Sequence, residues 1–400
     1  MPVNLLVLTG VLACAGGKPG GGGPGGTGGD GETGGRQGAT GGTAGRATGG
    51  SSGTGGAGTG GAPDGSAGTG GAGAGDAGPA VPDAGMDAPG AASPLRIFWI
   101  DTEGGAATLL VAPDGQTLLA DAGWAGARDP GRIAAVLAQV GAKKIDYLLA
   151  THFHEDHTGG MANLVKLVPA VTFVDHGNTV EPSDPGYALY TSALGSSARR
   201  MSVKAGDKLQ LGGVEIIFVS SHGQVTAPLA GAAANPACAG ARTKRDVPDE
   251  DPRSVGFLAR YGTFEFVDLG DLTWEVEGQL ACPMNRLGPV DLFQSSQHGT
   301  DDSNARQLVH GLAPQVIVVN CGAGKGGGTE SFETFQSSPG IKDIWQVHRV
   351  TRLDAAHNTD EALTANVAAT DFNLSATVNA DGSFTVSNGR TQQSRSYQAR

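Results

Sequence analysis

The sequence predicts an α/β domain, two β-sheets covered by helices on their outer faces, at the end of a disordered glycine-rich linker. Three observations predict it. Two strand-rich pieces are each followed by helix-containing connections, which calls for two sheets with helices outside. The apolar run at 145–150 (IDYLLA) is of the fully buried strand type and leads straight into a histidine-rich segment. Glycine is unevenly placed: 34 of the 68 glycines lie in residues 15–93.

Taken in order, the chain opens with an apolar run, Leu5-Leu6-Val7-Leu8-Thr9-Gly10-Val11-Leu12-Ala13-Cys14. It is too short to span a bilayer and fits a secretory leader at 1–14. Val11-Leu12-Ala13-Cys14 resembles a bacterial lipobox, with Cys14 as the lipidated residue that attaches the mature protein to a membrane. Export to the outer membrane or cell surface, or else to the periplasm or medium, follows as an expectation. Residues 15–93 contain no Phe, Tyr or Trp and almost no aliphatic residues. Such a stretch buries too little apolar surface to offset its ordering entropy, so it reads as a tether. Residues 94–400 have the size of one large domain with its own core.

The linker holds six acids and three bases, a net −3 of the chain's −12, so the folded part carries −9. An acidic domain is a poor generic binder of phosphate backbones, and there is no strong nucleic-acid signal. Cys238, Cys282 and Cys321 remain after Cys14, and Cys238 with Cys282 is the favoured pair, since both lie in loop contexts in an oxidising compartment.

Within the domain, 95–101, 107–112 and 116–121 read as short strands joined by turns, 130–140 as a helix, 161–168 as a second helix and 171–175 as a strand. Further on, 214–220 is a strand, 254–261 and 263–269 a hairpin around Gly262, and 274–280 a helix. Then come strand 290–295, helix 304–312 and strand 315–320. A final hairpin covers 376–379 and 383–387 around Asp381-Gly382.

The chemistry is concentrated at His152-Phe153-His154-Glu155-Asp156-His157, where three of the nine histidines fall within six residues. His152 and His154, two apart on a chain leaving a strand, face the same side. Asp156 and His157 follow at the turn, and Gly159-Gly160 let the backbone pass close by. One segment thus offers two donors to one metal and two to its neighbour. Imidazole nitrogen and carboxylate oxygen both suit Zn²⁺.

Thr151-His152-Phe153-His154-Glu155-Asp156-His157-Thr158-Gly159-Gly160 resembles the HxHxDH signature of the metallo-β-lactamase superfamily. The likeness runs through most of 95–347. Leu119-Ala120-Asp121-Ala122-Gly123 is similar to the family's early Asp-x-Gly turn, Leu269-Gly270-Asp271-Leu272 to its Gly-Asp element, and Ser296-Gln297-His298-Gly299 to its His-His-Gly. The set resembles most the branch related to the soluble domain of the ComEC competence proteins. The resemblance implies a four-layer αββα sandwich and two divalent ions, Zn²⁺ first, with Mn²⁺ or Fe as alternatives. It implies a metal-bridging hydroxide as nucleophile, with Asp156 binding the second metal and orienting that hydroxide. The implied ligands are His152, His154, Asp156, His157, Asp271 and His298, with His222 in the interval where a further histidine is expected. Asp271 is implied as the bridging residue. Asp268 competes with it, but alternation along 264–268 and the preceding Gly270 favour Asp271. The chain departs from the pattern at Gln297, where the family has histidine.

Asp121 is expected to support the site by hydrogen bonding. His176, His348 and His357 are candidates for the cleft wall, His176 and His357 also for protonating a leaving group, and His310 reads as structural. Gly49-Gly50-Ser51-Ser52-Gly53 lies in the linker, without the strand and helix a nucleophilic serine needs. Gly324-Lys325-Gly326 lacks phosphate-loop spacing. Three functions remain open: an exported metal-dependent hydrolase of a phosphodiester or related ester; a β-lactam or lactone hydrolase; and a non-catalytic tethered binding module with a partly decayed metal site, favoured by Gln297 alone.

Overall fold

The structure is a computed structural model that describes residues 93–196 and 198–400. The leader and lipobox at 1–14, and the linker apart from its last residue, lie outside the described residues. The first stretch runs β1 (Leu95–Trp99), β2 (Thr108–Val111), β3 (Thr117–Ala120), α1 (Arg128–Gln139), β4 (Ile145–Leu149), α2 (Glu155–Thr158), α3 (Met161–Leu167), β5 (Ala170–Asp175), α4 (Pro185–Leu194) and β6 (Arg199–Ser202). The middle runs β7 (Lys208–Leu211), β8 (Val214–Ser221), β9 (Gln224–Val225), β10 (Ala233–Ala234), β11 (Gly256–Tyr261), β12 (Phe264–Asp268), α5 (Trp274–Ala281), β13 (Met284–Asn285) and β14 (Leu292–Gln294). The last stretch runs α6 (Arg306–Leu312), β15 (Val316–Val319), α7 (Thr329–Gln336), β16 (Asp343–His348), β17 (Thr364–Asn366), β18 (Leu374–Val378), β19 (Ser383–Asn388) and β20 (Ser394–Gln398).

The described residues form two nine-stranded sheets. The first has the order β20-β19-β18-β1-β2-β3-β4-β5-β6, and the second β17-β16-β15-β14-β12-β11-β8-β7, with β9 added beside β8. Each sheet changes character along its width. From β3 to β6 and from β12 to β17 the strands are parallel, and the rest pair antiparallel. Parallel neighbours need crossover connections, and α1, α3 and α4 supply them on the first sheet, α5, α6 and α7 on the second.

Alternation along the strands assigns the layers. In β15, Val316 and Val318 enter the core between the sheets, while Ile317 and Val319 enter the core under α5 and α6. In β8, Ile216 and Phe218 point inward and Ile217 and Val219 outward. Leu118 and Leu119 of β3 divide in the same way between the inter-sheet core and the core under α1. Every strand of this kind is apolar on both faces, as a sheet covered on both sides requires. The result is the αββα sandwich.

Several elements differ from the sequence expectation. β6 (RRMS) is mostly exposed, and β20 (SRSYQ) buries Tyr397 alone, so neither carries a strand signature. β16 (DIWQVH) is buried throughout yet interrupted by polar residues. α4 was not expected: Asp184 caps it by accepting from the Gly186 amide, and Pro185 occupies its first turn. Cys238 and Cys282 form a disulfide with Cα atoms 5.7 Å apart, and Cys321 is a buried free thiol.

Glu277 links the second sheet's helices. Fully buried on α5, it accepts from the Asn304 and Ala305 amides at 3.1 and 2.7 Å, where α6 begins. Burial pushes its carboxyl from an ordinary 4.5 up to about 7, although those amides and Ser296 pull the other way. Between those values the folded state holds a proton that the unfolded chain has lost. The stability this proton confers is present below the window and lost as pH rises through it, by at most ~1.4 kcal/mol per pH unit. Urea unfolding at pH 5 and pH 7.5 should show wild type losing stability relative to Glu277→Gln. Equal pH dependence of the two proteins would contradict it.

Candidate metal centre

The donors collect where parallel strands end. β4 runs out at Leu149, and the chain continues through Thr151 to His154, which is extended (φ −66°, ψ 152°) before α2 turns. β3 delivers Asp121, β12 delivers Asp271 and β14 delivers His298. All lie beyond the carboxyl ends of their strands, where open α/β sheets place their crevices. Close approach is built in. A Cβ on Gly160 would collide with the Ala122 carbonyl, and one on Gly270 (φ +58°) would stand 2.8 Å from the Thr151 side chain.

Two groups of donors converge among the described residues. In one, His157 Nε2 is 3.2 Å from Asp271 Oδ1, 3.4 Å from Asp156 Oδ2 and 3.2 Å from His298 Nε2. His298 Nε2 is 3.1 Å from Asp156 Oδ2 and 3.2 Å from Asp271 Oδ2. All four residues are buried. Ligand atoms ~2.0–2.2 Å from one ion at tetrahedral corners stand ~3.3–3.6 Å apart, so this spacing fits a metal.

The electrostatics ask for a cation. Burial pushes the Asp271 and Asp156 carboxyls up, but the His157 and His298 rings outweigh it and hold both well below the usual carboxylate range. Burial likewise depresses His157, and Asp271, Asp156 and Asp121 together outweigh it, raising the ring well above its ordinary value. Its other nitrogen, Nδ1, lies 2.7 Å from Asp121 Oδ2. Asp121 also takes the Thr151 amide at 2.9 Å and hydroxyl at 2.7 Å. It therefore stands behind the cluster, orienting His157.

In the other group, His152 Nε2 is 3.0 Å from His154 Nδ1. Asp251 Oδ1 lies 3.3 Å from His152 Nε2 and 2.8 Å from His154 Nδ1. Burial, then the neighbouring His157, lowers the pKa of the His152 ring. Burial also depresses His154, but Asp251 and Glu181 overcome it and raise that ring to about 9. Glu181 Oε2 lies 3.0 Å from His154 Nε2. The two groups are adjacent, the His152 and His157 ring centroids being 4.1 Å apart.

His222 joins neither group. It is exposed at the end of β8, with left-handed backbone (φ 51°) and Nε2 3.3 Å from Arg253. The expectation of His222 as a further ligand is corrected by the geometry: His222 stands outside both donor groups, its ring centroid 5.7 Å from that of His176, and Asp251 stands with His152 and His154 instead. Sequence reasoning missed Asp251, which sits in a polar loop without periodicity. Asp268 also stays outside both groups. It is buried, accepts the Gly270 amide at 3.0 Å, and burial pushes its carboxyl up to about 7. Gln297 holds Asp251: its Nε2 donates to Asp251 Oδ2 at 2.6 Å.

The other histidines have their own partners. His176 is buried with Nε2 2.8 Å from Glu250, His348 is 2.6 Å from Asp101, His310 is 3.3 Å from the Thr334 carbonyl, and His357 is 2.6 Å from Asp354. At the rim, Lys325 bonds Asp156 and its Nζ lies 4.9 Å from the centroid of the Trp124 ring. Lys325 was set aside in sequence because its glycine neighbours lack phosphate-loop spacing; its place here follows from the loop after β15.

The chain is similar to several known proteins. A Coenzyme F420H(2) oxidase of Methanothermobacter marburgensis is 30% identical over 114 residues, 28% of this chain. The chain spans 27% of that protein's length. Among solved structures, the metallo-beta-lactamase fold protein YhfI from Bacillus subtilis is 13% identical with a TM-score of 0.41, covering 63% of this chain and 96% of that one. A metallo-beta-lactamase of Cronobacter sakazakii is 18% identical with a TM-score of 0.29, covering 44% of this chain and 60% of that one. CmlA, a diiron beta-hydroxylase from Streptomyces venezuelae, is 17% identical with a TM-score of 0.35, covering 56% and 44%. The model of the Metallo-beta-lactamase superfamily matches residues 101–233, and the two sheets with their outer helices are that superfamily's mixed α/β fold.

Proposed function

We propose that this chain is a metal-dependent hydrolase with two divalent ions, acting on a phosphodiester or related ester. The observation that carries this reading is the convergence of ring nitrogens and carboxylate oxygens in two adjacent groups. Asp156, His157, Asp271 and His298 would hold one ion, and His152 and His154 face the other. Bound there, divalent ions supply Lewis acidity and bring the pKa of a coordinated water from 15.7 to about 7. The chain's own residues do the rest. Asp121 fixes His157 and Glu181 fixes His154, each through the ring nitrogen turned away from the cluster.

Lys325 supports an anionic substrate. Its side chain keeps 39% exposure while touching Asp156, so its ammonium stands at the mouth of the cluster. Beside it, half-buried Trp124 offers a ring face. The likeness to the ComEC-type branch favours a phosphodiester among anionic esters. The Cys238–Cys282 disulfide supports export, since disulfides persist in oxidising compartments. Lipid attachment through Cys14 remains part of the proposal.

His154→Ala should lose the ion that His152 and His154 face and all hydrolysis of a chromogenic phosphodiester, with a cephalosporin and a lactone hydrolysed poorly by wild type. A fully active, metal-free variant would sink the mechanism, and a wild type preferring the cephalosporin or lactone would sink the substrate class. Asp121→Asn should weaken metal binding ~10–100-fold. Unchanged affinity in a chelator competition would show that Asp121 does not orient His157.

A further inference from the structure

We propose that Asp251 is the third protein donor to the first ion, and that its carboxylate, standing with two imidazoles, tunes that centre toward Mn(II) or Fe(II). The inference rests on the two-metal reading above and extends it to a residue and an ion class.

Asp251 Oδ1 is buried, lies within 3.3 Å of both ring nitrogens, and finds no donor in hydrogen-bond geometry. A buried carboxylate oxygen is stabilised by a cation, and the donor atoms of His152, His154 and Asp251 converge closely enough for one ion to meet all three. Its aim is set from both ends. Oδ2 is held by Gln297 Nε2, while Gln297 Oε1 accepts the Thr300 and Ser303 hydroxyls at 2.8 and 3.0 Å, so turning the amide over would set its oxygen against the Asp251 carboxylate. Upstream, the buried Glu250 carboxylate takes His176 Nε2, the Thr179 hydroxyl at 2.6 Å and the Val180 amide at 2.7 Å. The Glu250 amide donates to the same Glu181 oxygen that meets His154. Downstream, the Val255 amide bonds the Thr151 carbonyl at 2.7 Å. The last two ties lead to the segment that carries His152 and His154.

Gln297 is thereby a positioning residue. Standing where a second histidine was expected, it orients a carboxylate donor for the neighbouring ion. The set it completes has two imidazoles and one carboxylate. Imidazole suits zinc and iron alike, carboxylate favours manganese, and two histidines with one carboxylate form the donor set of non-haem Fe(II) sites and of some catalytic zinc sites, so the carboxylate shifts the balance between ions without excluding zinc. Replacing an expected imidazole by carboxylate therefore lowers the preference for zinc.

The test uses the full chain stripped of metal and titrated with Mn(II) or Zn(II) against a competing chelator, without substrate, with bound metal counted directly. Wild type should bind two ions. Asp251→Ala, and the near-isosteric Asp251→Asn should the alanine misfold, should weaken one of them ~100-fold and leave the other unchanged. Gln297→Ala should weaken the same ion ~10–100-fold. Asp251→His should raise the Zn(II) to Mn(II) affinity ratio at that centre at least ~10-fold. Two ions at wild-type affinity in Asp251→Asn would overturn the ligand assignment, and an unchanged ratio in Asp251→His would overturn the ion class. A wild type that binds fewer than two ions would fail the two-metal reading itself. A chain that binds two ions as described yet hydrolyses nothing would leave this assignment standing and the hydrolase reading fallen.

Discussion

The charge around His157 is the constraint from which the rest of the site follows. Three carboxylates lie within hydrogen-bonding or ion-pairing distance of one buried ring: Asp121 at 2.7 Å on Nδ1, and Asp271 at 3.2 Å and Asp156 at 3.4 Å on Nε2. Buried charges must be paired or coordinate a metal. A single imidazolium balances one of the three, and His298 and Lys325 crowd in on the others. The architecture has to bring these groups together against their desolvation, and it does so with backbone. Asp121, Gln297 and His298 all adopt left-handed φ (63°, 47° and 54°), uncommon for residues with a Cβ.

Such conformations persist where the surroundings over-determine them. Asn304 is the clamp on the His298 loop: its Oδ1 accepts the Ser296 amide at 3.0 Å, and its Nδ2 donates to the Ser296 and Thr300 carbonyls at 3.0 and 3.1 Å. Glu277 in turn holds the Asn304 amide. The chain of support thus runs from a helix core, through a buried carboxyl, to a metal-facing ring. The Cys238–Cys282 disulfide ties the end of α5 to the loop that follows β10.

What the sequence made legible depends on where the information sits. His152, His154, Asp156 and His157 share one segment, so spacing alone groups them. Asp271 and His298 are distant but carry local marks, the glycine before one and after the other. Asp251 has neither mark nor neighbourhood: it opens a short 3-10 turn after a polar loop and is held by Gln297, while the preceding Glu250 bonds Glu181, and no periodicity encodes these contacts. His222 was expected from its interval, and its left-handed backbone and its approach to His176 are invisible in composition. The same division holds for the fold. The apolar runs of β4 and β15 announce buried strands, whereas β6 is held by pairing with β5 and shows no pattern of its own.

Charge balance also decides what the mouth of the site attracts. Asp156, Asp251 and Asp271 bring three negative charges to the proposed pair of ions, and two dications exceed them by one. Once Asp156 serves a metal, its bond to Lys325 competes with that metal, and the ammonium is left facing outward beside Trp124. The mouth then carries local positive charge on a domain whose net charge is strongly negative. Long-range attraction of a polyanion such as duplex nucleic acid is opposed by that global field, which acts at low salt and fades beyond ~8–10 Å at physiological ionic strength. The local field is partly shielded from salt by burial and persists. A small monoanion meets the second field while feeling little of the first, so under the proposed function a compact anionic ester fits the mouth better than a long polyanion.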